Sequence, residues 1–299
     1  MFRRILSLTM ILSVAALTMQ QANARNRVSL VRDAQTESLV KAYARPILKA
    51  AGLRRGAVEV LLVNDKSFNA FVTGRRMVIN TGALIRAEVP NEIIGVIAHE
   101  TGHIIGGHQN RLRQRLETAK ALSVVAGLVG LGVTVGSISA GSEDGARAGS
   151  GIAAGGQEAA IRDLLAYQRS EERAADIAAL RLLKATKQSG AGLLTTFERF
   201  QNALNLSGAR PDKYRRSHPL PRERLSALER DAKKSPYFGK SDSKGLQLAH
   251  DLVRAKLIAY TGSSRERAQF EAKYRGTLPG AYANAIATFL YGSPRSALP

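Results

Sequence analysis

Residues 96 to 108 read VIAHETGHIIGGH, and this run holds three of the five histidines in a chain of 299 residues. His99 and His103 stand four apart, with Glu100 directly after the first. Residues four apart lie on one face of an α-helix, one turn up, so both imidazoles can be aimed at a single ion. Glu100 is about 100° further round the helix, near such an ion but out of bonding range. Two neutral histidines bind Zn²⁺, and a carboxylate beside them can take a proton from the zinc-bound water. The competing reading is a buried helix with two unrelated histidines, since so short a pattern also arises by chance.

A hydrolytic zinc site needs a third protein ligand and an open fourth position. One arrangement places a third histidine ten residues after the first. Here that position is Gln109, and His108 misses it by one. The other arrangement takes a carboxylate from a later helix, and RSEERAADIAALRL, residues 169 to 182, offers one. Glu172 and Asp176 are four apart, on one face. Glu172 is the expected ligand, and Asp176 the expected hydrogen-bond partner that fixes a ligand histidine's tautomer. Glu171 reads as part of a solvated face. A hydrolase also needs a donor for the tetrahedral oxyanion. His218, beside Arg215 and Arg216 in the basic loop GARPDKYRRSHPLPRERL, is the candidate; the alternative is a surface histidine in a linker. His250 has no such context and reads as structural or exposed. His108 reads as a supporting or surface residue at the helix end.

Several elements must position these groups. Residues 30–52 read as a helix, with Pro46 a kink and Gly52 a stop. Residues 57–63 read as a strand, and 68–80 as a hairpin around Thr73-Gly74. A short helix follows Thr81-Gly82. Pro90-Asn91-Glu92 opens the helix that carries the two histidines, where Asn91 or Glu92 suits the positive end. Further helices are expected over 158–187, over 191–205, and from the basic loop to about 231. Residues 121–142 carry no charge and are just long enough to cross a bilayer. Thirteen of these 22 residues are Gly, Ser, Thr or Ala, so a buried or re-entrant hairpin is expected ahead of a membrane-surface contact or a span. Residues 141–157 read as a glycine-rich loop.

The chain has no cysteine, which excludes disulfides, thiolate metal sites, a cysteine nucleophile and a lipoprotein anchor. It opens MFRRILSLTMILSVAALTMQQANARN, with Arg3 and Arg4, an apolar run, and Ala22-Asn23-Ala24. This pattern predicts a cleavable signal peptide over 1–24; a retained anchor is the alternative. Export without disulfides fits a periplasm. The formal charge is +20, and removing the two signal arginines leaves +18. Such a charge favours acidic partners, an anionic membrane surface among them. Nucleic acid is not expected after export, and there is no Trp and no interleaving of basic and aromatic residues.

NAF…INTGAL, HETGH, EERAAD and SHPLPRERL occur here in the order in which they occur in the CAAX-prenyl-endopeptidase and HtpX-like family of zinc metallopeptidases, which the chain resembles over roughly residues 30–230. With its signal peptide and repeat-like end, it is most similar to the periplasmic beta-barrel-assembly-enhancing branch. The resemblance implies an α+β, predominantly helical zincin-type domain with a small antiparallel edge sheet. It implies one Zn²⁺ per chain on His99, His103 and Glu172, with Glu100 as general base. Asp176 and Arg224 would support the ligands or the oxyanion. His218 would come near the metal, either stabilising the oxyanion or filling the open site. Unlike the membrane members, the chain lacks several clear transmembrane helices, so prenylated substrates do not follow.

The expected organisation is thus a signal peptide over 1–24, a zinc metallopeptidase domain over 25–233 and a helical segment over 244–299. In that last segment Ala283, Ala287 and Tyr291 are four apart, as at the opening of a TPR-like array. One or two repeats cannot bury a solenoid core alone, so the repeat is longer or packs directly on the first domain. The expected activity is an exported endopeptidase acting on misfolded or unassembled envelope polypeptides, in the context of outer-membrane assembly machinery. Substrate would pair along an edge strand near Asn69, Ala70 and Phe71. The alternatives are a latent protease and a non-enzymatic assembly factor for outer-membrane proteins.

Overall fold

A computed structural model describes residues 29–139, 143–207, 218, 219 and 221–292. The signal-peptide expectation, and most of the basic loop before His218, lie outside the described residues.

Helix α1 (Ala34–Ala50) starts where the Asp33 side chain accepts from the Thr36 N–H, the usual way to satisfy a helix's first free donors. Leu39, Val40, Tyr43, Ala44 and Ile47 form its buried stripe at the helical period. Three strands follow: β1 (Glu59–Val63), β2 (Ala70–Thr73) and β3 (Arg76–Asn80). The sheet order is β1-β3-β2, with β1 parallel and β2 antiparallel to β3. The expected antiparallel sheet is therefore mixed. The physical reason lies in β3: Met77, Val78, Ile79 and Asn80 are all buried, so this strand takes the centre. The less buried β1 and β2 flank it, which leaves β2 an edge strand among the described residues.

A short helix α2 (Thr81–Arg86) leads to α3 (Pro90–Gly106). Pro90 opens α3 at its first position, where the missing N–H costs nothing. Every residue of α3 from Pro90 to His103 is buried, so α3 is the central element of the domain. α1, α5 (Glu143–Ala185) and α6 (Ala191–Ser207) all pack on it. Beyond lie α7 (Arg222–Lys233), α8 (Lys244–Thr261), α9 (Ser264–Lys273) and α10 (Leu278–Tyr291).

Helix α8 contributes Val253 and Leu257 to the same core as α1 and α3, so the C-terminal segment packs directly on the residues before it. His250 is fully buried there, with Nδ1 2.9 Å from Tyr43 Oη and Nε2 2.9 Å from Ala87 O. The carbonyl can only accept, so Nε2 carries the proton and Tyr43 donates to Nδ1. Burial pushes this imidazole down to about 4, which keeps it neutral and structural. A smaller cluster of Ala255, Ile258, Phe270 and Ala283 joins α8, α9 and α10.

Residues 121–139 and 143–157 depart from expectation, and 140–142 lie outside the described residues. α4 (His108–Ser139) and α5 are long helices, where a buried or re-entrant hairpin and a glycine-rich loop are expected. They run antiparallel: Arg111 meets Glu171, Arg115 meets Asp163, and Ala126 lies opposite Gly156. A Cβ at Gly156 would stand 2.4 Å from Ala126 Cβ. Small residues that read as a loop thus serve close helix approach. Leu122, Val124, Val125, Leu128, Val129 and Leu131 on α4 are 49–64% exposed. No helix among the described residues is long and apolar enough to cross a membrane.

Candidate metal centre

α3 and α5 bring the two sequence signals together. Their backbones approach so closely at Gly102 that a Cβ there would lie 2.8 Å from Ala175 O. This sets His99 and His103 against Glu172 and Asp176. His103 Nε2 is 3.1 Å from His99 Nε2 and 3.3 Å from Glu172 Oε1, and His99 Nε2 is 3.4 Å from Glu172 Oε2. His218 joins them, with Nδ1 2.9 Å from Glu172 Oε1 and 3.5 Å from His99 Nε2. One ligand atom from each of His99, His103, Glu172 and His218 lies within 4.8 Å of the others, and all four residues are buried.

Burial and neighbouring charges set the protonation of these groups. Burial works against a charge on His99, but Asp176 and Glu172 raise it to about 9. Burial pushes His103 down to about 4, into the neutral form that ligates. Burial by itself would raise Glu172, yet the surrounding His218, His103 and His99 hold it well below the usual carboxylate range. Burial would also raise Asp176, and Arg224 and His99 lower it.

Arg224 ties the site to its surroundings. Its Nε and Nη2 donate to Asp176 at 2.6 and 2.8 Å, and its Nη1 is 2.8 Å from Glu172 Oε2. Nη1 also donates to Pro219 O at 2.9 Å, which holds the His218-Pro219 segment in place. The guanidinium sits 5.0 Å from the centre of the Phe197 ring on α6. Asp176 Oδ1 lies 3.0 Å from His99 Nδ1, although that nitrogen is not aligned for a hydrogen bond.

A cavity of about 330 Å³ opens on one side of the group. It is lined by Asn69, Phe71, Glu100, His103, Glu172 and His218, among others, and not by Arg224. Ala70 points into the core instead. Glu100 is fully buried, and neither of its carboxylate oxygens has a hydrogen-bond partner among the described residues. Burial raises its pKa. His218 Nε2 stands 3.5 Å from Glu100 Oε1, and a buried carboxylate left without a hydrogen bond is costly. Three imidazoles and a carboxylate converging beside it fit a borderline divalent cation.

One expectation is corrected. Glu171 is not on a solvated face: it is mostly buried, 2.7 Å from His108 Nε2 and 2.8 Å from Arg111 Nη2. The sequence offered His108 as a supporting or surface residue but not its partners Glu171 and Arg111. The signal for this network was the glycine pair between His103 and His108, which turns the chain back over the end of α3.

With this geometry in view, comparison with known proteins is decisive at one level. Residues 31–232 match the model of Peptidase family M48. The chain belongs to peptidase family M48. As a family M48 chain it is also similar to a protein of Vibrio cholerae serotype O1 named "Putative beta-barrel assembly-enhancing protease", with 23% identity over 248 residues. The match takes in 82% of this chain and 48% of that protein, so the chain spans about half the length of the curated relative it matches.

Proposed function

We propose that this family M48 chain is an exported zinc-dependent endopeptidase for periplasmic or outer-membrane proteins. The observation that carries the reading is the convergence of His99, His103, Glu172 and His218 beside a fully buried Glu100 whose oxygens have no hydrogen bond among the described residues. Zinc, when bound, supplies a Lewis acid that acidifies water and polarises a carbonyl. The chain's own residues do the rest. His99, His103 and Glu172 hold the ion. Glu100 accepts the proton of the attacking water, and burial, by raising its pKa, makes it a stronger base. Asp176, held by Arg224, orients His99. Substrate backbone pairs with the free edge of β2, with Asn69 and Phe71 at the cavity wall.

The periplasmic setting rests on the signal-like N-terminus and on the printed name of the relative. That name also supports misfolded or unassembled outer-membrane proteins as substrates, and supports a second reading, an assembly factor that binds such proteins without cutting them. Purified protein should carry about one Zn²⁺ per chain, and chelation should abolish casein cleavage until zinc is restored. A protein that neither holds nor rebinds zinc would sink the proposal. One that holds zinc, cleaves nothing and still suppresses aggregation of a barrel protein would favour the assembly factor.

His218 decides whether the enzyme is restrained. His218 is one of the four possible ligands, its Nδ1 2.9 Å from Glu172 Oε1 and 3.5 Å from His99 Nε2, which favours a fourth ligand that closes the water position. His218→Ala should then raise the cleavage rate with little loss of zinc, because three ligands remain. A fall of about 10²-fold instead would assign His218 to the oxyanion.

The exposed apolar stretch of α4 is the surface we assign to an anionic membrane. The chain's high positive charge supports this. Vesicles containing phosphatidylglycerol should carry the protein in flotation, and serine at Leu122, Val125 and Leu128 should release it. Equal flotation of both proteins would remove the lipid contact.

A further inference from the structure

His108 is 5% exposed and belongs to neither the four possible ligands nor the groups that act on substrate. Its Nδ1 lies 2.8 Å from His103 Nδ1, and its Nε2 lies 2.7 Å from Glu171 Oε2. The partners decide where the protons sit. His103 Nε2 faces Glu172 and His99, so a ligating His103 keeps its lone pair there and its proton on Nδ1. That N–H must donate to His108 Nδ1, which is therefore bare. The proton of His108 is then on Nε2 and is donated to Glu171, whose ionised carboxylate can only accept. Arg111 Nη2, 2.8 Å from the same oxygen, holds Glu171 from the far side, and Arg111 Nε donates to Tyr167 Oη at 3.1 Å.

We propose that His108 and Glu171 form a positioning pair that fixes the tautomer and ring orientation of His103, so that its Nε2 lone pair points at the metal. The inference rests on the metal-binding reading above. A ligand imidazole commonly donates its outer N–H to a fixed acceptor, which raises its basicity. For His99 a carboxylate stands beside the outer nitrogen, Asp176 Oδ1 at 3.0 Å from Nδ1. For His103 no carboxylate is so placed among the described residues; Nδ1 meets His108 Nδ1 at 2.8 Å. Glu171 and Glu172 are neighbours on α5, about 100° apart around the helix, so only one can face the centre. An imidazole spans the remaining gap.

The backbone is built to deliver that imidazole. Gly107, at φ +64, ends α3 in the left-handed conformation, and α4 begins at His108. The ring folds back over the last turn of α3. A Cβ on Gly106 would stand 2.1 Å from His108 Nε2, so glycine at 106 leaves the space the ring occupies. The stretch HIIGGH thus places donor and acceptor together by local turn geometry.

The test is Co²⁺ binding to the full chain, read by its visible absorption spectrum and by competition with a chelator. His108→Leu removes the acceptor. His108→Asn can offer an amide oxygen near the position of Nδ1. Gly106→Ala moves the ring without altering it, and Glu171→Gln removes the charge behind it. Expected are a 10- to 100-fold loss of affinity for His108→Leu, on the order seen when such supporting partners are removed, with a changed spectrum. Gly106→Ala and Glu171→Gln should shift the same way, and His108→Asn should recover most of the affinity. Should the leucine variant fail to fold by circular dichroism, the alanine and glutamine variants carry the test. Wild-type affinity and spectrum in the folded variants would reduce His108 to an interhelical contact and leave the metal reading intact. A wild-type protein that binds no Co²⁺ or Zn²⁺ would overturn both.

Discussion

Glu100→Gln is expected to keep its zinc and lose about 10²- to 10⁴-fold in peptide hydrolysis, the range that a positioned general base contributes. The substitution keeps the shape of the side chain and removes only its capacity to accept a proton. Glu100 lies on α3 between the two histidines, yet it is not one of the four possible ligands, so the metal content should not change. Stability should not fall either. The wild-type carboxylate is fully buried with no hydrogen bond among the described residues, and a neutral amide is less costly in such a place. Initial rates on casein, with metal content measured on the same samples, check both halves. Cleavage at the wild-type rate would end the assignment of Glu100. Loss of zinc together with activity would show that the residue holds the site rather than working in it.

Arg224→Leu should destabilise the metal-free protein by about 3–5 kcal/mol, the usual cost of removing one partner from a buried ion pair. Arg224 is 8% exposed and faces two carboxylates that are 4–5% exposed, Asp176 and Glu172. Without it, both acids keep only imidazole partners among the described residues, and the Pro219 carbonyl loses its donor. Arg224→Lys should recover part of the loss, since an ammonium keeps the charge but cannot donate to both Asp176 oxygens in the same fork. Urea denaturation of the three proteins after chelation measures the effect. A loss below about 1 kcal/mol for the leucine variant would place Arg224 in the range of surface pairs and remove it as the tie between α5, α6 and the His218 segment.

Some of this was legible from residues close in sequence. The helical repeat is local, so His99 with His103, and Glu172 with Asp176, could each be put on one face before any fold was known. The hairpin around Thr73-Gly74 was legible for the same reason, because Gly74 at φ +58 meets a demand set by its immediate neighbours. The glycine-rich stretch after residue 121 was not. A glycine that opens a turn and a glycine that lets two helices touch look alike in one dimension, and only the Ala126–Gly156 contact tells them apart. The sheet order was hidden in a similar way. Which strand takes the centre depends on what covers each face, and β3 won through its continuous burial.

The sequence by itself determined the chemistry available: two imidazoles and a carboxylate on one helix, a second pair of acids on another, and a histidine with an arginine further on. The tertiary structure alone decided how they meet. It set Glu172 toward the centre and Glu171 toward His108, brought His218 to 2.9 Å from Glu172, and turned Arg224 onto the acids rather than into the cavity. It also folded His108 back onto His103. Each of these is a contact across many residues of chain or a choice between neighbouring side chains. Helical periodicity fixes angles within one helix and says nothing of which face a neighbouring helix will cover. That choice is made by close packing, here at Gly102 against Ala175, where the absence of a side chain lets two helices approach until their polar groups share one site.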